Sequence, residues 1–77
     1  MQIVSIPPEL QGDFPLITAL PYGRRVETIK EDSGHFITTV YARGGAFICW
    51  TRSENESHAR QWHVLRIGDY GAEKSKK

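Results

Sequence analysis

Eleven β-branched residues occupy the stretch from Arg24 to Ile67: Val26, Thr28, Ile29, Ile37, Thr38, Thr39, Val40, Ile48, Thr51, Val64 and Ile67. Leu65 is the only leucine there, and methionine is absent. β-Branched side chains lose rotamer freedom in a helix and pack well on a pleated surface, so this bias favours strands. Turn residues punctuate the runs. Asp32-Ser33-Gly34, Arg43-Gly44-Gly45 and Ser53 to Ser57 separate them, and glycine supplies the positive φ that tight hairpins use. The pattern predicts a four-stranded antiparallel meander over about 24–31, 36–42, 46–52 and 60–67. Residues 54–66 also admit a helix, because Glu54, Asn55 and Glu56 could start one and Trp62, Leu65 and Arg66 recur at helical spacing. The alternation of Trp62, Val64 and Arg66 favours the strand.

All four prolines fall at positions 7, 8, 15 and 21. The first 22 residues therefore read as an extended, turn-rich segment. Gln2 to Ile6 suits a short edge strand that Pro7-Pro8 ends, since proline donates no ladder hydrogen bond. Pro8 to Gly12 fits one helical turn with proline at its first position. Leu16 to Leu20 is a second short apolar run. On the two middle strands, Phe36, Thr38, Val40 and Ala42 oppose Ile37, Thr39 and Tyr41, and Ala46, Ile48 and Trp50 oppose Phe47, Cys49 and Thr51. Neither face is cleanly polar, so both are expected to be covered, or one kept for a partner. The expected fold is all-β or β-rich α+β. It is a small barrel or half-sandwich, with the proline-rich segment packed across the sheet. Residues 1–71 form the expected domain, and the charged tail 72–77 is expected to be disordered.

The chain has 77 residues and a formal net charge of +1, which disfavours a strongly basic nucleic-acid coat. The single Cys49 excludes an internal disulfide and any zinc site built on two or more thiolates. No apolar run approaches the roughly 20 residues that span a bilayer, and the first residues lack the pattern of a secretory signal. A cytoplasmic protein without a membrane partner is the expectation. A core this small rarely supplies more than about 3–5 kcal/mol without staples, which argues for binding over catalysis and leaves room for self-association.

The candidate chemistries are weak. Cys49, His58, His63 and His35 are zinc-ligand types, but the five-residue step from His58 to His63 converges on neither a strand nor a helix. Cys49 lies in the apolar run Phe47-Ile48-Cys49-Trp50, a setting for a buried hydrophobe rather than a thiolate nucleophile. Ser33 and Ser53 are turn residues. Glu31-Asp32 and Glu54-Asn55-Glu56 sit at hairpin ends, where carboxylates are ordinarily solvated. Gly44-Gly45 lacks the lysine and the helix of a phosphate loop. No catalytic residue, metal or cofactor is expected.

One constellation stands out. Positive and aromatic residues interleave through the meander: Arg43, Phe47, Trp50, Arg52, Arg60, Trp62, His63 and Arg66, with Tyr41 and Tyr70 beside them. Tyr41, Arg43, Trp50, Arg52, Arg60, Trp62 and Arg66 are the expected partner-binding residues. Cross-strand pairing of the last two strands would gather most of them into one patch. Trp, Tyr and Arg are the residues enriched at protein-interface hot spots, and they also stack bases and contact phosphates. Residues 1–70 carry seven basic and eight acidic side chains, too little positive charge for a strong nucleic-acid binder. The reading is a small non-catalytic protein-binding module, an adaptor, subunit or inhibitor of a larger assembly. A single-stranded DNA- or RNA-binding sheet comes second and a small enzyme third.

Overall fold

A computed structural model describes residues 6–71. The expected edge strand at Gln2–Ile6 and the tail at 72–77 lie essentially outside the described residues. After a short 3₁₀ turn at Pro8–Leu10, the chain forms β1 (Leu16–Ala19), β2 (Arg25–Lys30), β3 (Phe36–Tyr41), β4 (Phe47–Ser53) and α1 (Glu56–Gly71). The strands make one antiparallel sheet in the order β1-β2-β3-β4. The fold is β-rich, with one C-terminal helix laid over one face of the sheet.

Three tight turns build the meander. Tyr22 and Gly23 both have positive φ, 65° and 78°, between β1 and β2. Tyr22 is the only non-glycine residue in that region among the described residues. A Cβ on Gly23 would also stand 2.8 Å from Arg43 Cγ, so the β1–β2 and β3–β4 turns meet there through a position with no side chain. Between β3 and β4, a register shift at Val40/Tyr41 marks an irregularity in the ladder.

The fourth expected strand, 60–67, is instead the middle of a 16-residue helix. Its start follows from local chemistry. Asn55 Oδ1 accepts the His58 amide at 2.9 Å, which satisfies a donor that the first turn leaves open, and the Asn55 carbonyl accepts the Ala59 amide at 3.0 Å as the first bond within the helix. The helix touches the sheet through Ala59, His63, Arg66 and Tyr70. These positions follow helical spacing, yet none is a large aliphatic residue. An apolar-periodicity test therefore misses the helix, while Trp62-His63-Val64-Leu65-Arg66 imitates strand alternation.

Two further expectations change with it. The sheet does not close into a barrel, since β1 and β4 are its two edges among the described residues. The second layer is α1, not the proline-rich segment. Part of that segment supplies β1, and the part before it packs beside the helix. Leu10 is buried, Phe14 lies 4.8 Å from the Phe36 ring, and Arg60 of α1 stacks 4.7 Å over Phe14 while donating to the Leu10 carbonyl at 2.5 Å. At the far end of the helix, Arg24 donates to the Tyr70 carbonyl at 3.1 Å, a cation on carbonyls the last turn leaves open.

The core between helix and sheet is partly polar. Leu10, Leu16, Val26, Phe36, Val40 and Ala59 are its buried apolar residues. Through its middle runs the cross-strand row Leu16–Thr28–Thr38–Thr51. Thr28, Thr38 and His63 are fully buried, and buried polar groups must find partners within the protein.

Candidate interaction surface

Two polar sites follow from this arrangement, one buried and one open. The buried site centres on His63. Its Nδ1 lies 2.7 Å from Thr28 Oγ1, its Nε2 lies 2.9 Å from Thr18 Oγ1, and Thr28 Oγ1 lies 2.9 Å from Thr38 Oγ1. A neutral imidazole has one donor and one acceptor nitrogen, and each hydroxyl can play either role, so the chain of bonds is satisfied without a charge. Burial lowers the His63 pKa from 6.5 to about 4, because desolvation disfavours the charged form. Both ring nitrogens are engaged by the sheet, which makes His63 a structural pin between α1, β1 and β2.

The other zinc-ligand types are dispersed. His58 is exposed on the first turns of α1, His35 lies in the β2–β3 turn beside Ser33 and Arg52, and half-buried Cys49 faces the helix, with Sγ 3.6 Å from Tyr70 Oη. That hydrogen bond raises the Tyr70 pKa above its ordinary value.

The open site is the sheet face opposite α1. Strand alternation and register place three rows across it. The first is Ile17–Glu27–Thr39–Trp50, the second Ala19–Arg25–Tyr41–Phe47, and the third Ile29–Ile37–Arg52. Exposure is high at its large apolar side chains, with Ile17 at 60%, Phe47 at 59%, Trp50 at 54% and Ile29 at 44%. Here four share one face, Ile17 on β1, Ile29 on β2, and Phe47 and Trp50 on β4, where isolated exposed apolar residues would be ordinary. The charges on this face are paired. Arg25 Nε lies 2.8 Å from Glu27 Oε2, and its guanidinium stacks 4.3 Å over the Tyr41 ring. Arg52 Nε lies 3.5 Å from Glu31 Oε1 at the rim.

Of the residues expected to form one binding patch, Tyr41, Trp50 and Arg52 share this face. Arg43 stands in the β3–β4 turn at its end. Arg60, Trp62 and Arg66 do not join them, because they lie on α1 behind the sheet. Arg60 holds the segment before β1. Arg66 donates to Thr51 Oγ1 at 3.0 Å and to Asp69 Oδ2 at 3.2 Å, and stacks 5.0 Å from the half-buried Trp62 ring. The residues that stand on this face in their place are Ile17, Arg25 and Ile29, and Phe47 of the interleaved set joins them. Ile17 sits in the short apolar run Leu16 to Leu20, which forms β1 although no strand is expected there. Its exposure depends on which side the helix takes, and the composition carries no signal for that.

No protein-family model matches the chain, and neither the curated proteins nor the solved structures contain a significant match to it. Among the described residues, no helix is long and apolar enough to cross a membrane.

Proposed function

We propose that this chain is a non-catalytic protein-binding module, an adaptor, subunit or inhibitor, that docks its partner on the open sheet face. The observation that carries the reading is the exposure of Ile17, Ile29, Phe47 and Trp50 together on the side the helix leaves bare. Burying such side chains against a partner removes apolar area from water at about 25 cal/mol per Å², and a Trp ringed by polar groups is the usual anchor of an interface. The aromatic face also fits base stacking. Against that reading, Arg25 and Arg52 already face Glu27 and Glu31, so few cations are free for phosphates.

A photocrosslinker at position 50, compared with one at exposed position 58, tests the reading in extract from the native host. The adduct is identified and its partner purified for rebinding. A protein adduct specific to position 50, whose rebinding weakens more than about tenfold with Trp50→Ala, supports the module. Tight binding of a generic single-stranded oligonucleotide, with a steep salt slope and a similar loss for Arg25→Ala and Arg52→Ala, would replace it with the nucleic-acid reading.

A further inference from the structure

The open face is complementary to itself. Its pattern is read from the register. Viewed along the strands, β1 and β2 carry Ile17, Ala19, Arg25, Glu27 and Ile29, while β3 and β4 carry Ile37, Thr39, Tyr41, Phe47 and Trp50. Reflecting one half of each row onto the other matches Ile17 with Trp50, Glu27 with Thr39, Ala19 with Phe47, Arg25 with Tyr41 and Ile29 with Ile37. Every match joins apolar to apolar, large to small, cation to aromatic ring, or carboxylate to hydroxyl. None joins like charges, and Arg52, at the β4 end of the third row, falls beyond the end of β1 and has no match.

Resting on the protein-docking reading above, we propose that the partner on this face is a second copy of the chain, packed sheet to sheet about a two-fold axis that runs along the strands between β2 and β3. Such an axis lies in the interface and sets β1 of one copy over β4 of the other and β2 over β3. Ile17 then meets the second copy's Trp50, and Ile29 meets the second copy's Ile37. The Arg25 guanidinium, already stacked on Tyr41 in its own chain, gains the second copy's Tyr41 as an opposite wall. Glu27 faces the second copy's Thr39 hydroxyl. Aligned packing of two twisted sheets, offset by about 30° at a spacing of about 10 Å, is the ordinary way such faces bury each other. An in-plane axis running across the strands through the Glu27 row sets Glu27 over the second copy's Glu27 and Arg25 over its Ile29, which electrostatics disfavours. Crosslinking between outer-strand positions separates the strand-parallel axis from any axis across the strands.

Area sets the strength. Four strands about 4.8 Å apart and about 20 Å long present a face of roughly 400 Å² in projection per copy. For both copies together that is roughly 800 Å², below the roughly 1,200 Å² at which stable specific interfaces begin and in the range of weak, transient contacts. The dimer is therefore a weak one whose population depends on concentration.

The experiment uses the full chain with Cys49→Ala, which removes the native thiol. Sedimentation velocity from about 1 µM to about 500 µM is expected to move from the 8.8 kDa chain mass toward twice that value. Trp50→Asp is expected to hold the chain monomeric throughout, with its circular dichroism unchanged. For the geometry, a chain carrying Ala19→Cys is mixed with a mass-tagged chain carrying Phe47→Cys and treated with a short bismaleimide. The 19–47 adduct is expected to exceed the 19–19 and 47–47 adducts by at least fivefold, because like positions are displaced by about three strand spacings in this dimer. Should Trp50→Asp fail to fold, the crosslink ratio and the concentration dependence still decide. Equal adduct yields, or a monomer at every concentration, would overturn the second copy as occupant. In that event a different protein that binds in purified form, dependent on Trp50, leaves the docking face standing. If the chain stays monomeric at every concentration and the position-50 crosslinker captures no protein, both the dimer and the docking face are wrong.

Discussion

The Nδ1 of His63 lies 2.7 Å from the Thr28 hydroxyl, which ties the middle of the only α-helix among the described residues to the second strand of the sheet. The same ring reaches Thr18 on the other side. A protonatable group thus sits at the centre of the contact between the two layers.

Acid should therefore loosen the fold early. The unfolded chain binds a proton on His63 below about pH 6.5, whereas the folded chain resists until about pH 4. Stability is full above pH 6.5 and falls as pH drops, because the unfolded state takes up the proton first. The loss reaches about 2 kcal/mol by pH 5 and up to about 3 kcal/mol below pH 4. Urea unfolding at pH 7.5, 6 and 5 checks this, with His63→Leu expected to flatten the dependence in that window. An unchanged pH dependence in the variant would mean that other groups cause the loss.

Thr28→Val should be costly for an isosteric change. It leaves His63 Nδ1 and the Thr38 hydroxyl without the partner they share, and each orphaned buried polar group costs about 1–3 kcal/mol. Thr39→Val, on the open face, should stay within about 0.5 kcal/mol. The difference between the two urea midpoints is the measurement.

Arg60→Ala should act on the segment before β1. It removes the bond to the Leu10 carbonyl and the stack on Phe14, for a loss of about 1–2 kcal/mol. Hydrogen exchange should quicken at the Leu10 and Gln11 amides, which bond to Pro7 and Pro8, while partner binding by the folded variant is unchanged. Loss of binding without faster exchange would return Arg60 to the interface.

Asn55→Ala should cost about 1 kcal/mol through the lost helix cap, and Asn55→Asp should retain most of it. Thermal unfolding followed by circular dichroism distinguishes the two. Equal losses would show that the cap bond contributes little.

Much of the meander was legible because its signals are local. The strands at 25–30, 36–41 and 47–53 follow β-branched runs and the glycine turns at Gly34 and Gly44-Gly45. The 3₁₀ turn at Pro8 follows from proline at its first position. Of the seven residues expected to share one patch, three stand together on the open face. Tyr41, Trp50 and Arg52 belong to strands whose register is fixed by neighbours in sequence. Arg60, Trp62 and Arg66 were assigned to the same patch only because 60–67 imitates a strand.

The sequence by itself determined the three hairpin-linked strands and the aromatic content of the sheet. Only the tertiary structure decided which face of that sheet is core. The side chains that α1 sets on the sheet are Ala59, His63, Arg66 and Tyr70, and they become a buried face only where Thr18, Thr28, Thr51 and Cys49 lie opposite to receive them. A hydroxyl or an imidazole is polar when read alone and becomes core-compatible when its hydrogen bonds are met by another element. That pairing joins residues 15 to 45 positions apart. It places Trp50 and Phe47 outside and Thr28 and His63 within.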